Sequence, residues 1–279
     1  MTSATFDPVS YKETTRAQWQ DAAEAWHRWD PVFDRWLGQA TELMLDLARV
    51  HDGSRVLDIA AGSGGQSIAA ARRGATVLAT DISSNILDEA AAAARLAGVS
   101  SVATRVMDGE SLDVEPGSFD AAISRLGLMY LPDKPAALAE AARTLRSGGR
   151  YAALVFAEPE RNRFFSLPIS IIRTKAELPP PAPGMPGPFS AVGLGELLET
   201  AGFSEVEVHR VEAPLELADA AECARLERES FGALHQMLAG LTEAQREETW
   251  GEIEVALREF EGPAGFAGPC ELLVGAGTI

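Results

Sequence analysis

From residue 55 to residue 156 the chain alternates short apolar runs with longer segments whose apolar positions recur every three or four residues. The runs 55–60, 76–80, 102–106, 119–124 and 151–156 read as strands. Between them lie an Ala-rich helix from Gly65 to about Arg73, a turn and helix over 81–97 stopped by Gly98, and a helix over 135–145 ended by Gly148 and Gly149. Strict alternation with short links predicts right-handed crossovers and a parallel sheet covered on both faces. Before this core, residues 14–50 have a helical period, with Trp19, Ala22, Ala23, Trp26 and Trp29 at helix-like spacings. The Asp30-Pro31 step predicts a break, with Pro31 in the first turn of a second helix carrying Phe33, Trp36, Leu37, Leu43, Met44 and Leu47.

After residue 157 the pattern changes. The stretch Pro179-Pro180-Pro181-Ala182-Pro183 cannot be a helix interior and reads as a rim or lid loop, or as a spacer. A short helix is predicted over 192–201, a strand over 206–211, mostly helical acidic sequence over 216–261, and a last strand over 270–274. The last two strands are expected to pair as an antiparallel edge. The organisation is a helical arm (1–50), an α/β core (51–157) and a remaining sheet edge with lid loop and helical cap (158–279), all one structural domain.

Composition narrows the function. With 41 Asp+Glu against 24 Lys+Arg the net charge is −17, which repels phosphate backbones and anionic lipid, so neither nucleic acid nor membrane is expected as a partner. Cys223 and Cys270 form no C-x-x-C and no metal-ligand spacing, so no metal is expected and two free thiols are. Residues 1–11 lack an apolar leader, and no run approaches the roughly 20 residues of a membrane span. A cytoplasmic protein, monomer or homodimer, is the expectation.

The chemistry gathers at strand ends. The first strand runs into Leu57-Asp58-Ile59-Ala60-Ala61-Gly62-Ser63-Gly64-Gly65, a glycine turn that lets a ligand approach backbone. Asp81 ends the second strand 17 residues after Gly64, where a carboxylate accepts hydrogen bonds from a ribose diol. These two features alone fit an NAD-dependent oxidoreductase equally well. Two others separate the readings. Ser67 stands where the dinucleotide fingerprint needs Gly or Ala, and Asp58 would repel a pyrophosphate but suits the ammonium of a methionine moiety. Asp58 also reads as an acceptor that orients the loop, and both roles stay open. Asp108-Gly109 follows the third strand, as an acceptor for an exocyclic amine such as adenine N6 or as a plain turn.

In this order, residues 56–64, Asp81, Met107-Asp108-Gly109 and Phe119-Asp120 resemble the motifs of class I S-adenosylmethionine-dependent methyltransferases. Residues 124–133 and 145–149 resemble, more narrowly, the ubiquinone/menaquinone-biosynthesis (UbiE-like) branch. The likeness covers roughly residues 50–157. It implies a Rossmann-like seven-stranded sheet, order 3-2-1-4-5-7-6, with the last strand antiparallel, plus a helical N-terminal arm and cap insertions. It implies S-adenosylmethionine as cofactor and S-adenosylhomocysteine as product. By the same carry-over Asp58, Gly62 and Gly64 hold the methionine end, Asp81 the ribose, Ile82 an adenine face, and Asp108 with Gly109 the adenine edge. Ser124 faces the methionine portion. Arg125 does the same, binds an acidic substrate group, or forms a structural salt bridge.

The acceptor is expected to be a small molecule held by the arm, residues 158–190 and the 216–261 helices. Trp26, Trp29 and Tyr130 are candidates for its pocket. His27 and His235 are the histidines placed to serve as general base; His51 and His209 read as structural. A methyltransferase-like protein that binds the cofactor without transferring its methyl group remains the rival within this fold.

Overall fold

Strands buried on both faces need apolar side chains nearly throughout, and the runs at 55–60, 119–124 and 151–156 have them, while the run at 102–106 forms an exposed edge. In the computed structural model, which describes residues 6–182 and 184–279, the five runs form β1 (Arg55–Ile59), β2 (Thr76–Asp81), β3 (Val102–Val106), β4 (Phe119–Arg125) and β5 (Leu145–Phe156). Met1 to Thr5 of the arm and Pro183 of the proline-rich stretch lie outside the described residues. These five strands are parallel. β6 (Ser204–Glu212) and β10 (Glu271–Thr278) complete the sheet in the order β3-β2-β1-β4-β5-β10-β6, with β10 antiparallel to both neighbours. Counting strands of this sheet alone, the order is the expected 3-2-1-4-5-7-6.

The helices between the strands are α2 (Gly65–Arg72), α3 (Ser84–Leu96) and α4 (Lys134–Thr144). Ser83 caps α3 by accepting from the Ile86 amide, and Asp133 caps α4 by accepting from Ala136. The Gly148-Gly149 pair does not terminate α4, as the sequence suggests. It lies inside β5, which starts at once at Leu145 and shifts register between Phe119 and Ala121 of β4. A Cβ on Gly149 would stand 2.8 Å from the Arg146 carbonyl oxygen, so the irregular strand needs glycine there.

The largest departure from expectation is the arm. Instead of two helices there is one, α1 (Pro8–Leu47), 40 residues long with Pro31 inside it. An interior proline costs about 3 kcal/mol, through one lost hydrogen bond and crowding of the preceding turn. Aromatic packing on both sides of Pro31 outweighs that. Trp26 stacks on Phe33 across the proline at 4.2 Å, and Trp36 tilts against Phe156 of the sheet at 6.1 Å. The indole N–H groups of Trp26 and Trp36 donate to the carbonyls of Ser230 and Ala213 at 2.8 and 2.7 Å. Each buried ring contributes several kcal/mol, so tertiary packing carries the helix through.

The excursion between β6 and β10 holds α7 (Ala220–Ser230), α8 (Gly232–Met237) and α9 (Glu243–Leu257), matching the acidic helical region that the sequence predicts. Its ends are drawn together by a small sheet that the sequence pattern does not predict, β7 (Leu215–Leu217), β9 (Gly265–Gly268) and β8 (Glu261–Gly262) in the order β7-β9-β8. The segment before the prolines forms another helix outside the expected set, α5 (Arg163–Lys175), whose Phe164, Phe165 and Ile172 are buried. After the prolines, α6 (Leu194–Thr200) leads into β6. No described helix is long and apolar enough to cross a membrane.

Candidate functional site

The strand order reverses between β1 and β4, and their carboxyl ends open there into a crevice. Two non-glycine residues at that point have left-handed backbones: Ala60 after β1 (φ 57°) and Leu126 after β4 (φ 59°). Such conformations cost of order 1 kcal/mol and collect at ligand sites. The two turns are packed tightly together, since a Cβ on Gly127 would come within 2.5 Å of the Ala60 Cβ.

The crevice widens into a cleft of about 1020 Å³ with its open mouth included. One end is polar. Asp81 is buried at the end of β2, with its oxygens accepting from the amides of Gly62 at 3.1 Å and Ser83 at 3.0 Å. Burial pushes its pKa up and these amides pull it back. Gly62, Ile82, Asp108, Gly109 and Arg125 line the cleft with it. Asp108 accepts from the Glu110 amide at 2.9 Å and from Lys12 Nζ at 2.6 Å; Lys12 also reaches Glu110 at 2.5 Å. The first turns of α1 thus form a roof, and Tyr11, Thr15 and Trp19 line it.

Asp58 does not line the cleft, so any part it has at the methionine end runs through the loop above it. It is fully buried beneath the loop, accepting from Ser67 Oγ at 2.5 Å and Gln66 Nε2 at 3.1 Å. Gln66 Nε2 also donates to the Ala61 carbonyl at 2.9 Å, which fixes the amide and leaves its buried Oε1 without a partner among the described residues. Gln66 lines the cleft and Asp58 does not, so Asp58 acts as the acceptor that orients the start of α2 and the loop before it. No signal beyond its place in the first turn of α2, just after the glycine loop, marks Gln66 in the sequence. Gly64 likewise stays off the cleft wall; its left-handed backbone (φ 87°) starts α2, and a Cβ there would stand 2.9 Å from Ala90 Cβ. Ser124 is buried beneath Gly127 and also does not line the cleft.

Burial raises the Asp58 pKa from 3.8 to about 7, against its hydrogen bonds from Ser67 and Gln66. The native state therefore holds a proton that the unfolded chain has lost between about pH 4 and 7. Stability from this group falls as pH rises through that window and is flat above it, by up to about 4 kcal/mol. Asp58→Asn should remove the fall: its stability relative to wild type, from denaturant melts at pH 4 and 7.5, should improve with pH. An unchanged difference would contradict the assignment.

Arg125 sits half-buried on Thr41 Oγ1 at 3.3 Å, with Asp34, Asp58 and Asp30 as its neighbouring acids. Burial lowers its pKa while these carboxylates raise it. No carboxylate lies within 4.0 Å of it among the described residues, so the structural salt bridge is not formed. Ser63 and Arg125 also line a neighbouring polar cleft with His27, Asp30 and Asp34; Ser63 Oγ donates to Asp30 at 2.7 Å.

The rest of the cleft wall is apolar and aromatic, with Trp26, Met129, Tyr130, Phe156 and Phe231 beside Trp19. Burial raises the Tyr130 pKa. Trp26 and Tyr130, the sequence candidates for an acceptor pocket, both line this cleft. Trp29 does not: three positions further along the helix, it donates to Glu229 at 2.9 Å and packs under Arg225 at 5.3 Å. Both histidine bases are also corrected. His27 pairs with Asp30 at 3.1 Å on the neighbouring polar cleft. His235 is bonded to the Arg228 carbonyl and packs on Trp250 at 6.0 Å. No histidine lines the aromatic cleft among the described residues. Trp19 and Phe231 are additions to the expected set, although Trp19 stands seven residues before Trp26 and so on the same helix face.

Residues 57–153 match the family described as Methyltransferase domain. Nocamycin O-methyltransferase of Saccharothrix syringae is 32% identical over 189 residues, covering 62% of this chain and 67% of the relative. Demethylmenaquinone methyltransferase of Mycobacterium bovis is 34% identical over 131 residues, 47% of this chain and 52% of that protein. The chain spans about half the length of the other mycobacterial relatives it matches, proteins of Mycobacterium bovis and Mycobacterium tuberculosis at 34–37% identity whose names state no activity. Among solved structures, the YcgJ protein of Bacillus subtilis aligns with a TM-score of 0.59 at 17% identity, over 86% of this chain and 98% of that one.

Proposed function

Since this chain belongs to the class I S-adenosylmethionine-dependent methyltransferases, we propose that it moves a methyl group from that cofactor to an oxygen of a small, largely apolar acceptor. The observation that carries this is a single cleft at the β1–β4 crevice lined both by charged side chains, Asp81, Asp108 and Arg125, and by the rings of Trp19, Trp26, Tyr130 and Phe231. The residues fit the cofactor. Asp81 has lone pairs left for a ribose diol, Ile82 offers a face to adenine, and Asp108 with Gly109 borders its edge. At the far side the unpartnered Gln66 Oε1 matches an ammonium, and Arg125 matches a carboxylate. A nicotinamide dinucleotide fits less well, because Ser67, hydrogen-bonded to the buried Asp58, stands where the dinucleotide fingerprint has Gly or Ala for close helix–strand packing.

When bound, the cofactor supplies a methyl group on a sulfonium, open to in-line displacement. The chain's part is alignment and exclusion of water. The roof of α1, latched by Lys12 to Asp108 and Glu110, covers the polar end. Trp19, Trp26, Tyr130 and Phe231 form walls suited to a flat or polycyclic acceptor. The name of the Saccharothrix relative supports oxygen as the accepting atom and a small molecule as its bearer. The shorter match to a demethylmenaquinone methyltransferase supports kinship with the quinone-biosynthesis (UbiE-like) branch over the cofactor core, which does not choose the acceptor.

The test is incubation of the full chain with methyl-labelled S-adenosylmethionine and a panel of phenols, quinols and hydroxylated terpenoids, with labelled products identified by mass spectrometry. Label on oxygen is expected. Tight cofactor binding with no labelled product across the panel would instead favour the reading without methyl transfer.

A further inference from the structure

Behind the aromatic wall lies a polar pair that the cofactor does not use. Glu227 and Ser230, one turn apart on α7, are both completely buried. Glu227 Oε2 and Ser230 Oγ have no hydrogen-bond partner among the described residues. Among the described residues the other Glu227 oxygen has only the Cys223 thiol, at 3.9 Å. Burial holds this carboxyl well above the usual carboxylate range. A buried polar group with no partner costs of order 1–3 kcal/mol, so the fold retains two at one place.

Their position ties them to the cleft. The Ser230 carbonyl accepts from Trp26 Nε1 at 2.8 Å, and the Glu227 carbonyl accepts from the Phe231 amide at 3.0 Å. Trp26 and Phe231 both line the cleft, so the last turn of α7, which carries both orphaned side chains, is hydrogen-bonded to two residues of the aromatic wall, while neither Glu227 nor Ser230 itself lines the cleft. Phe231 is the single residue between α7 and α8, with φ −105° and ψ 80°, outside either helix. Its ring stands 6.1 Å from Trp26 and 4.5 Å from Phe165. A ring on a non-helical joint can turn aside without unwinding a helix.

We propose that Glu227, with Ser230, is the polar anchor of the acceptor site: it hydrogen-bonds an oxygen of an otherwise apolar acceptor that displaces the Phe231 ring. This rests on the reading of the aromatic end as the acceptor site. The anchor makes the acceptor an oxygen-bearing hydrocarbon rather than a bare one, because an apolar ligand would leave both groups unsatisfied.

The test compares 1-naphthol with naphthalene, binding each to the full chain and following tryptophan fluorescence, with S-adenosylhomocysteine affinity measured alongside by calorimetry. Wild type should bind 1-naphthol about tenfold more tightly than naphthalene. Glu227→Leu should erase that preference and leave naphthalene and S-adenosylhomocysteine affinities unchanged, while Glu227→Gln retains most of it. Should Glu227→Leu fail to fold, Ser230→Ala should still reduce the preference by about threefold. A preference that survives in Glu227→Leu, or a wild type that does not discriminate or binds neither probe, overturns the proposal. Failure of S-adenosylhomocysteine to bind wild type would strike the cofactor reading instead, and the naphthol preference would still be measurable.

Discussion

Asp81→Ala is expected to weaken S-adenosylmethionine binding by about a hundredfold or more. A carboxylate receiving both hydroxyls of a ribose makes two charge-assisted hydrogen bonds, each about 1.5–3 kcal/mol. Losing both removes about 3–5 kcal/mol, and 1.4 kcal/mol is a tenfold change. The same carboxylate accepts from the Gly62 and Ser83 amides, so the substitution also loosens the turn that shapes the cleft. Asp81→Asn separates the two effects. Its amide oxygen can still accept from one backbone donor, so the loop should largely hold while affinity falls by about tenfold. Calorimetry with S-adenosylmethionine and S-adenosylhomocysteine should give parallel losses, since both carry the ribose. Affinity within threefold of wild type in Asp81→Ala, at unchanged melting temperature, would remove the ribose assignment.

Asp81 stands out in the amino-acid sequence for a physical reason. β1, β2 and β4 are covered on both faces, so they read as nearly unbroken apolar runs, and a carboxylate at the end of one is conspicuous. The direction of a side chain is not conspicuous in the same way. Asp58 lies in such a run, but nothing local says whether it meets a ligand or the underside of the loop; Ser67 and Gln66 decide it. Pro31 shows the opposite failure. Its local preference is for a break, and packing between α1, the sheet and α7 overrides it. The small β7-β9-β8 sheet leaves no periodic signal because its strands are two to four residues long and two of them are rich in glycine. Residue type alone singles out the two histidines, and type carries no direction. A step of one position along α1 turns by about 100°, which sends His27 to the polar cleft and Trp26 to the aromatic one.

Trp26→Ala should separate the fold's need for that ring from the acceptor's. Truncating a buried tryptophan costs about 3–5 kcal/mol, and here the Ser230 carbonyl is left without its donor as well. For a chain of this size the melting temperature should drop by about 10 °C. Trp26→Phe keeps the ring against Phe33 and gives up only the hydrogen bond, so it should lose about 1 kcal/mol. S-adenosylhomocysteine affinity should survive both changes within about threefold, because the Trp26 ring packs on Trp19, Phe33 and Phe231 rather than on Asp81, Asp108 or Gly109. Affinity for 1-naphthol should fall at least tenfold in Trp26→Ala, through the lost wall area. Trp29→Ala provides the contrast: its ring spans α1 and α7 under Arg225 without reaching the cleft, so stability should drop while naphthol affinity holds. If cofactor affinity collapses together with stability in Trp26→Ala, or if Trp29→Ala loses naphthol to the same degree, the aromatic end is scaffold and the acceptor binds elsewhere.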